Sequence, residues 1–189
     1  MTVLAIDPGV SGAVVLLGAH IIECRRDFKH ASEIDQAIHE LAARADVAVI
    51  ELVHAMPGQG VSSMFNFGEA RGYAMGALGS CGFRLPGHDD PDSLVNKPLI
   101  EVTPQHWQKF YMHLGGLGVL RVEGEGTLTT KYKLDSVATC LRVLPKSEQF
   151  LKRKLDHNTA DALLIALWYQ LNPGAPSAVH AGRPKRKKK

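Results

Sequence analysis

The sequence has few cysteines and no closely spaced pair of them. Its three cysteines, Cys24, Cys81 and Cys140, lie far apart, and no CxxC motif occurs among the 189 residues. This spacing argues against both a disulfide framework and a zinc site. It is typical of reduced thiols in the core of a cytoplasmic protein.

Long hydrophobic runs are also missing. No apolar stretch approaches the roughly 20 residues that a membrane-spanning helix needs. The N-terminus has neither a basic region nor a small-residue cleavage site. We therefore expect no membrane partner, no signal peptide and a cytoplasmic location. With 45% hydrophobic and 22% charged residues, the chain has the composition of a globular protein with one well-buried core.

The formal net charge of +3 is distributed unevenly along the chain. Acidic residues outnumber basic ones in residues 25–101, and the reverse holds in residues 103–154. Residues 183–189 hold six positive charges, so the rest of the chain has a net charge of −3. A basic second half indicates a polyanionic partner, although a solvated tail without a specific partner explains the last seven residues equally well.

The hydrophobic patterns predict a mixed α/β domain over residues 1–172, followed by a disordered basic tail over residues 173–189. Residues 3–7, 12–18 and 19–24 are predicted as three consecutive antiparallel strands. Later strands are predicted over residues 47–53 and 99–102. Helices are predicted over residues 31–45, 63–80, 105–112, 131–144 and 158–171. The long stretch 114–130 is glycine-rich and has no clear period, which predicts a loop.

Four glycines, Gly68, Gly72, Gly76 and Gly79, share one face of the helix predicted over 63–80. Each glycine costs roughly 1 kcal/mol of helix stability relative to alanine. We therefore expect this face to press closely on another backbone.

Three isolated acids lie in apolar surroundings. Asp7 and Glu51 follow apolar strands, and Asp161 lies near the start of the last apolar helix. If the strands at 3–7 and 47–53 are parallel neighbours, their carboxyl ends coincide and the two acids meet. A pair of Mg²⁺ ions would remove the repulsion between carboxylates and could support phosphodiester hydrolysis. Capping roles, at the turn for Asp7 and in the first helical turn for Asp161, are the structural alternatives.

Three polar residues precede Asp161 on the same helix and offer a further ligand. Asn158 and His157 lie three and four residues before it, which places them on its face. Asp156 occupies the expected N-cap position, where a helix cap and a metal ligand are equally compatible with the sequence.

Four sequence blocks resemble those of the RuvC-type Holliday junction resolvases, in particular the phage and plant-organelle branches. They are AIDPGVSGA, IELVHAMPGQGVSSMFNFGEARG, HNTADALLIALW and VTPQHWQKFY, which span roughly residues 2–170 in the family's order. The resemblance implies an RNase H-like fold with a mixed five-stranded sheet. It also implies a homodimer that cuts four-way DNA junctions and leaves 5′-phosphate ends, with two Mg²⁺ per site and Mn²⁺ as a substitute.

The resemblance also implies roles for single residues. Asp7, Glu51 and Asp161 match the family's metal-binding acids. The fourth position is unsettled: the bacterial enzymes have Asp or His where this chain has Asn158, and the phage relatives point to His157, beside Asp156. The helix over 63–80 would form the dimer contact. Residues that could enter the junction centre are His54, Met56, Phe65 and Phe67, although core packing is an alternative for at least one phenylalanine.

DNA contacts are expected from the basic second half of the chain. The candidates are Lys109, Lys131, Lys133, Arg142, Lys146, Lys152, Arg153 and Lys154.

Other functions remain open at this stage. An RNase H-like nuclease or transposase could act on another branched or hybrid nucleic acid, and a junction-binding module would bind without cutting. The turn after Asp7 also resembles that of sugar kinases, but the chain is too short for two lobes and shows no second phosphate loop.

Overall fold

The computed structural model describes residues 1–9, 11–52, 60–85, 96–114, 117–123, 131–153 and 156–178. The strands in these ranges are β1 (Val3–Asp7), β2 (Ala13–Leu17), β3 (Ile22–Arg26), β4 (Val47–Glu51), β5 (Leu99–Val102), β6 (Leu120–Glu123) and β7 (Lys131–Leu134). The first five form one sheet in the order β3-β2-β1-β4-β5, and β6 pairs with β7 in a separate ladder.

The five-stranded sheet is mixed. β1 pairs antiparallel with β2, and β2 pairs antiparallel with β3, which confirms the predicted opening meander. On the other side, β1 is parallel to β4 and β4 is parallel to β5. Ile6 lies opposite Ile50 in the register of β1 and β4, so these two strands end side by side.

Helices cover both faces of the sheet. They are α1 (Ser32–Ala42), α2 (Val61–Ser80), α3 (Pro104–Lys109), α4 (Ser136–Val143) and α5 (His157–Leu171). A π-helical turn over Phe110–Leu114 extends α3, and a 3₁₀ segment over Pro145–Phe150 follows α4. Among the described residues, no helix is both long and apolar enough to cross a membrane.

The alternation of side chains along β1 builds two hydrophobic clusters. Val3 and Ala5 pack on the face covered by α3, α4 and α5, whereas Leu4 and Ile6 pack on the face covered by α1 and α2. The same alternation runs along β4. Side chains on a strand point to opposite faces in turn. The odd-numbered residues of β1 and β4 therefore pack against α3, α4 and α5, and the even-numbered ones pack against α1 and α2.

The helix predicted over 131–144 is wrong in its first part, because residues 131–134 form β7 and pair with β6. The side chain of Asp135 accepts a 2.9 Å hydrogen bond from the backbone N–H of Ala138 and so caps α4. Asp135 is thus the single residue between the end of β7 and the start of α4, where it serves as the N-cap. β6 likewise lies within the stretch predicted as a loop.

The predicted close contact of the glycine face of α2 does not occur within the described part of one chain. A methyl group built on Gly68, Gly72 or Gly76 would meet nothing within 4 Å, and all three positions are exposed. Gly79 alone of the four has a close neighbour, since a methyl group there would lie 3.0 Å from the Leu85 side chain.

Residues beyond the end of α5 also contact the domain, and the predicted boundary at residue 172 stays a prediction. Ala175 packs against the core, and the Ser177 hydroxyl accepts a 3.1 Å hydrogen bond from the backbone N–H of Glu101 in β5. The chain is therefore held against the edge of the sheet beyond the end of α5. The basic residues 183–189 lie outside the described residues.

Candidate active site

Asp7 and Glu51 are the last residues of β1 and β4, two adjacent parallel strands. Asp7 directly follows Ile6, and Glu51 directly follows Ile50. Because Ile6 and Ile50 are paired in the register, the two acids lie at equivalent heights in the sheet. Both acids are odd-numbered, like the residues of β1 and β4 that pack against α5, so their side chains point to the same face of the sheet. The register therefore brings both carboxylates to one edge and one face of the sheet, as the sequence predicted.

Asp161 comes from α5, which packs on β1 and β2. It is the fifth residue of the helix, so it lies beyond the first turn and is not a first-turn capping acid. The charge of Asp161 raises the pKa of both Asp7 and Glu51, which places it close to the two strand ends. Three carboxylates from distant parts of the chain thus meet at one edge of the sheet.

The environment of this acid cluster, defined as Asp7, Glu51 and Asp161, disfavours negative charge. Burial raises the pKa of Asp7 well above its ordinary value, and repulsion from the other two acids raises it further. Burial also raises the pKa of Glu51 to about 7, with a smaller opposing effect from a hydrogen bond to Trp107 and a further increase from Asp161. A nearby cation would compensate for this repulsion.

The donor set fits Mg²⁺, which prefers carboxylate oxygens. Across the described ranges, no three His, Cys, Asp or Glu side chains are gathered tightly enough to form a ready-made metal cage. The acids are nonetheless close enough for the charge of one to raise the pKa of another.

Trp107 of α3 supports the cluster directly. Its indole Nε1–H donates a 2.8 Å hydrogen bond to Oε1 of Glu51, and both side chains are buried. The sequence placed Trp107 in the block VTPQHWQKFY without giving it a role. The two residues lie 56 positions apart, and no local sequence pattern indicates the contact.

Glu101 shows why burial alone does not define the site. It is 1% exposed and lies in β5 opposite Ile50, on the face covered by α1 and α2. There the Arg71 guanidinium of α2 forms an ion pair with its Oε1. Glu101 thus neutralises a structural cation and faces away from the acid cluster.

The turn after β1 depends on close backbone packing. The Gly12 N–H donates a 2.9 Å hydrogen bond to the carbonyl of Gly9. A methyl group on Gly12 would lie 2.0 Å from the carbonyl oxygen of Asp7 and 2.9 Å from backbone atoms of Gly9. The turn can therefore hold Asp7 in place only if residue 12 has no side chain.

Gly12→Ala is expected to destabilise the protein by about 1–3 kcal/mol, because backbone atoms must move to accept the methyl group. Gly9→Ala is the matched control, since its methyl group would meet its nearest neighbour at 3.7 Å, an ordinary contact. Urea unfolding of both variants measures the difference. Equal stability of the two variants would show that the turn tolerates a side chain at residue 12.

The N-terminal end of α5 is joined to this turn. Asn158 Nδ2 donates a 2.7 Å hydrogen bond to the carbonyl oxygen of Ser11. This contact gives Asn158 a structural role at the turn, between the strand that bears Asp7 and the helix that bears Asp161. His157 is exposed and lines a cavity of about 660 Å³ together with Asp161 and Lys133.

Asp156 lies in a network of ion pairs beside the start of α5. Its side chain makes ion pairs with Arg26 at 2.7 Å and with Arg153 at 2.9 Å, and it accepts a 2.7 Å hydrogen bond from the backbone N–H of Arg153. Burial would raise the pKa of Asp156, but these donors lower it below its ordinary value. It forms no side-chain cap on α5. Its oxygens are already bonded to these donors, so a metal ion at Asp156 would have to compete with two arginines, and its role as a ligand stays a prediction.

Arg153 is also engaged in ion pairs, and its DNA contact stays a prediction. Its guanidinium bridges Asp156 and Asp27, at 2.9 Å and 2.8 Å, so a DNA phosphate would have to compete with two carboxylates. Lys154 and the side chain of Lys131 lie outside the described part of the chain. The remaining predicted DNA contacts have exposed side chains: Lys109, Lys133, Arg142, Lys146 and Lys152.

The aromatic candidates for the junction centre differ in position. Phe65 is 72% exposed on α2, so the core alternative does not apply to it. Phe67 is partly buried and lines a second cavity of about 550 Å³, together with Asp7, the glycine turn and Asn158. Ser63 and Asn66, which the sequence analysis did not single out, line the same cavity. His54 and Met56 lie outside the described residues.

The mixed five-stranded sheet, with helices on both faces, has an RNase H-like fold. In overall structure the chain is similar to RuvC of Thermus thermophilus in complex with Holliday junction substrate. The TM-score is 0.54 and the sequence identity 18%, over 91% of this chain and 94% of that chain. A second Thermus thermophilus RuvC structure gives a TM-score of 0.52 at 18% identity, over 91% of this chain and 96% of that chain. No family model and no curated protein matches the sequence.

These comparisons confirm the fold that the sequence resemblance implied. The match extends over nearly the whole of both chains. A closer relation to the phage and organellar branches stays a prediction.

Proposed function

We propose that this protein is a Holliday junction resolvase, a Mg²⁺-dependent endonuclease that makes paired, symmetric nicks in four-way DNA junctions during recombination or DNA packaging. The observation that carries the proposal is the acid cluster at the carboxyl edge of β1 and β4, in a chain with the RuvC fold. One of the similar RuvC structures is a complex with a Holliday junction substrate.

Asp7, Glu51 and Asp161 would hold two Mg²⁺ ions, with Mn²⁺ as a substitute. Bound in this way, the ions would supply a reactive water and stabilise charge on the phosphodiester, which would be cut to 3′-hydroxyl and 5′-phosphate ends. The support from this chain is the donor set itself, three carboxylates in a setting where burial, and to a smaller extent repulsion from the neighbouring acids, raises the pKa of Asp7 and Glu51.

His157 and Lys133 would act beside the acids. Both line the cavity that contains Asp161. The His157 imidazole is exposed and could take up or release a proton at a ring nitrogen. The ammonium group of Lys133 would pair with a phosphate of the bound strand. The other exposed basic residues and the basic tail would add affinity that does not depend on base sequence.

We also propose that the protein acts as a homodimer through the outer face of α2. This face carries Val61, Phe65 and Tyr73, which are 79%, 72% and 42% exposed, around glycines that no other described part of the chain covers. Exposed apolar side chains of this size commonly mark an interface. A two-fold axis would present two equal sites to a substrate that must be cut twice.

Phe65→Glu is expected to convert the dimer to a monomer, because it places a charge at the centre of the buried face. Analytical ultracentrifugation would show a halving of the mass. Leu171→Glu is the control, since Leu171 is 52% exposed at the far end of α5 and should leave the mass unchanged. A dimeric Phe65→Glu protein that cuts junctions poorly would instead place Phe65 at the junction centre.

The function is tested by incubating the full chain with a synthetic four-way junction whose arms are labelled separately. A Y-fork, a linear duplex and an RNA–DNA hybrid serve as competing substrates. We expect paired nicks at symmetric positions in the junction, with Mg²⁺ required and with EDTA abolishing them. Preferred cutting of the Y-fork or the hybrid would indicate another RNase H-like nuclease, and junction binding without Mg²⁺-dependent cutting would indicate a binding module.

A further inference from the structure

The acid cluster borders two cavities. The cavity of about 660 Å³ includes Asp161 in its lining, and the cavity of about 550 Å³ includes Asp7. We call them the Asp161 cavity and the Asp7 cavity. In the proposed function the scissile phosphate lies at the acids, so the neighbouring parts of the same DNA strand would lie in or beside these two cavities.

The two cavities differ in the charge of their linings. The Asp161 cavity has two basic side chains, Lys133 and Arg153, beside its acids. Of the described residues that line the Asp7 cavity, Asp7 alone is charged. Residues 53–59, which join β4 to α2, contain neither Lys nor Arg in the sequence. Because each nucleotide carries its negative charge on the phosphate, an uncharged base suits the Asp7 cavity better than a phosphate does.

Phe67 gives the Asp7 cavity an aromatic wall. Ala70 and Ala74, three and seven residues later in α2, are fully buried against the sheet. Phe67 therefore continues the inner face of α2 by one turn, and there its partly buried ring lines the cavity. It belongs to neither of the two hydrophobic clusters that the described residues form. A ring in this position is suited to stack on a base, since every base has an apolar face.

Polar groups complete the lining of the Asp7 cavity. Asn66 is exposed and lines it beside Phe67, and an amide offers both a donor and an acceptor to the edge of a base. On the α5 side, the 2.7 Å hydrogen bond from Asn158 to the carbonyl oxygen of Ser11 fixes the turn. The volume lies within the range of about 300–1,000 Å³ that is typical of small-ligand pockets.

We propose that the Asp7 cavity is a nucleobase subsite, which takes the base of one nucleotide beside the cut. The base stacks on Phe67, and Asn66 hydrogen-bonds to its edge. The inference rests on the proposed function, because it assumes that the scissile phosphate lies at the acid cluster. It assigns a preference for base sequence at this one nucleotide to two residues of α2.

The first test removes one base at a time from the substrate. Four-way junctions are made in which each of the four nucleotides nearest the cut, two on either side, is replaced in turn by an abasic analogue. With the full chain in Mg²⁺, we expect one of these replacements to lower the single-turnover cleavage rate about tenfold, as the loss of one aromatic stack would. In Phe67→Ala, cleavage should be slower and should no longer depend on whether that base is present.

The second test separates the two residues. At the nucleotide identified by the abasic series, Asn66→Ala should change which of the four bases is cut fastest, because it removes the amide from the base edge. Phe67→Ala should lower the rate for all four bases alike, because stacking tolerates any base. Gln36→Ala is the matched control, since it removes an exposed amide of α1 and should change neither the rate nor the preference.

A third measurement does not depend on cleavage. The fluorescent base 2-aminopurine is placed at each of the four positions, and the protein is bound to the junction in EDTA. Its fluorescence rises when the base leaves the DNA stack, so we expect a rise at the same position that the abasic series identifies. Phe67→Ala should abolish the rise. Phe67→Leu, which keeps an apolar side chain, covers the case in which the alanine variant does not fold and should weaken it.

The outcomes separate the inference from the proposed function. Cleavage of the junction by the unaltered protein that no abasic replacement slows would overturn the inference and leave the proposed function standing. The same conclusion would follow if the base dependence persisted undiminished in Phe67→Ala, or if 2-aminopurine showed no rise at any position. Failure of the unaltered protein to cut the intact junction would overturn the proposed function and the inference together.

Discussion

Asp7→Asn is expected to lower the rate of junction cleavage by at least about 1,000-fold, which corresponds to roughly 4 kcal/mol of transition-state stabilisation. The amide keeps the size of the side chain and removes the charge that would bind the ions. Binding of the junction should persist, because the basic residues that would contact phosphates are unchanged. Single-turnover cleavage and gel-shift titration, both in Mg²⁺, measure the two effects separately.

The same variant should be more stable than the unaltered protein in metal-free buffer at pH 8. Burial and the charges of Glu51 and Asp161 oppose ionisation of Asp7, so a neutral amide removes an unfavourable charge from the folded state. Asp35→Asn is the control, because Asp35 is an acid of α1 whose side chain is 44% exposed. It should cut at the normal rate. Normal cleavage by Asp7→Asn, with the junction still bound, would show that Asp7 is not a metal ligand.

The stability of the metal-free protein is expected to fall by about 3 kcal/mol as the pH rises from about 4.5 to 7. Burial raises the pKa of Glu51 to about 7 in the folded state, whereas an unfolded glutamate loses its proton near 4.5. In this window the folded chain therefore holds a proton that the unfolded chain has released, and each pH unit costs about 1.4 kcal/mol. Urea unfolding in EDTA at several pH values measures the slope.

Added Mg²⁺ should reverse this loss, and most strongly at pH 8, because the ion competes with the proton for the same carboxylate. Glu51→Gln should reduce the slope between pH 5 and 7 and leave the part that Asp7 contributes, because burial also raises the pKa of Asp7. A stability that rises between pH 5 and 7 in EDTA would contradict a buried, charge-repelled Glu51.

The parts of the site that follow from strand patterns could be predicted from the sequence. An apolar run that ends in one carboxylate located Asp7 as the last residue of its strand. Glu51 was placed near the end of a strand predicted over residues 47–53, which in the structure ends at Glu51. Their meeting required only that the two strands be parallel neighbours, which the register of Ile6 with Ile50 confirms. Asp161 followed from helical periodicity in the last apolar segment.

The contacts that depend on tertiary packing could not be predicted. Asp156 forms an ion pair with Arg26, which lies 130 positions earlier in the chain. No local sequence pattern around either residue indicates this pair. The bond from Trp107 to Glu51 likewise joins residues whose separation along the chain carries no periodic signal. The close backbone contact predicted for the glycine face of α2 does not occur within the described part of the chain, because helical spacing indicates which residues share a face and not what covers that face.

Asp7 and Glu51 of the acid cluster end strands within the first 51 residues of the chain. The third acid, Asp161, belongs to α5, which begins only at residue 157. A growing chain that has not yet reached α5 can form the two strand ends without completing the set of three. A fragment that stops before this helix would lack the third carboxylate however well its strands were formed. Synthesis order thus completes the acid cluster only when nearly all of the domain has been made, so the proposed nuclease activity would not arise in shorter, incomplete chains.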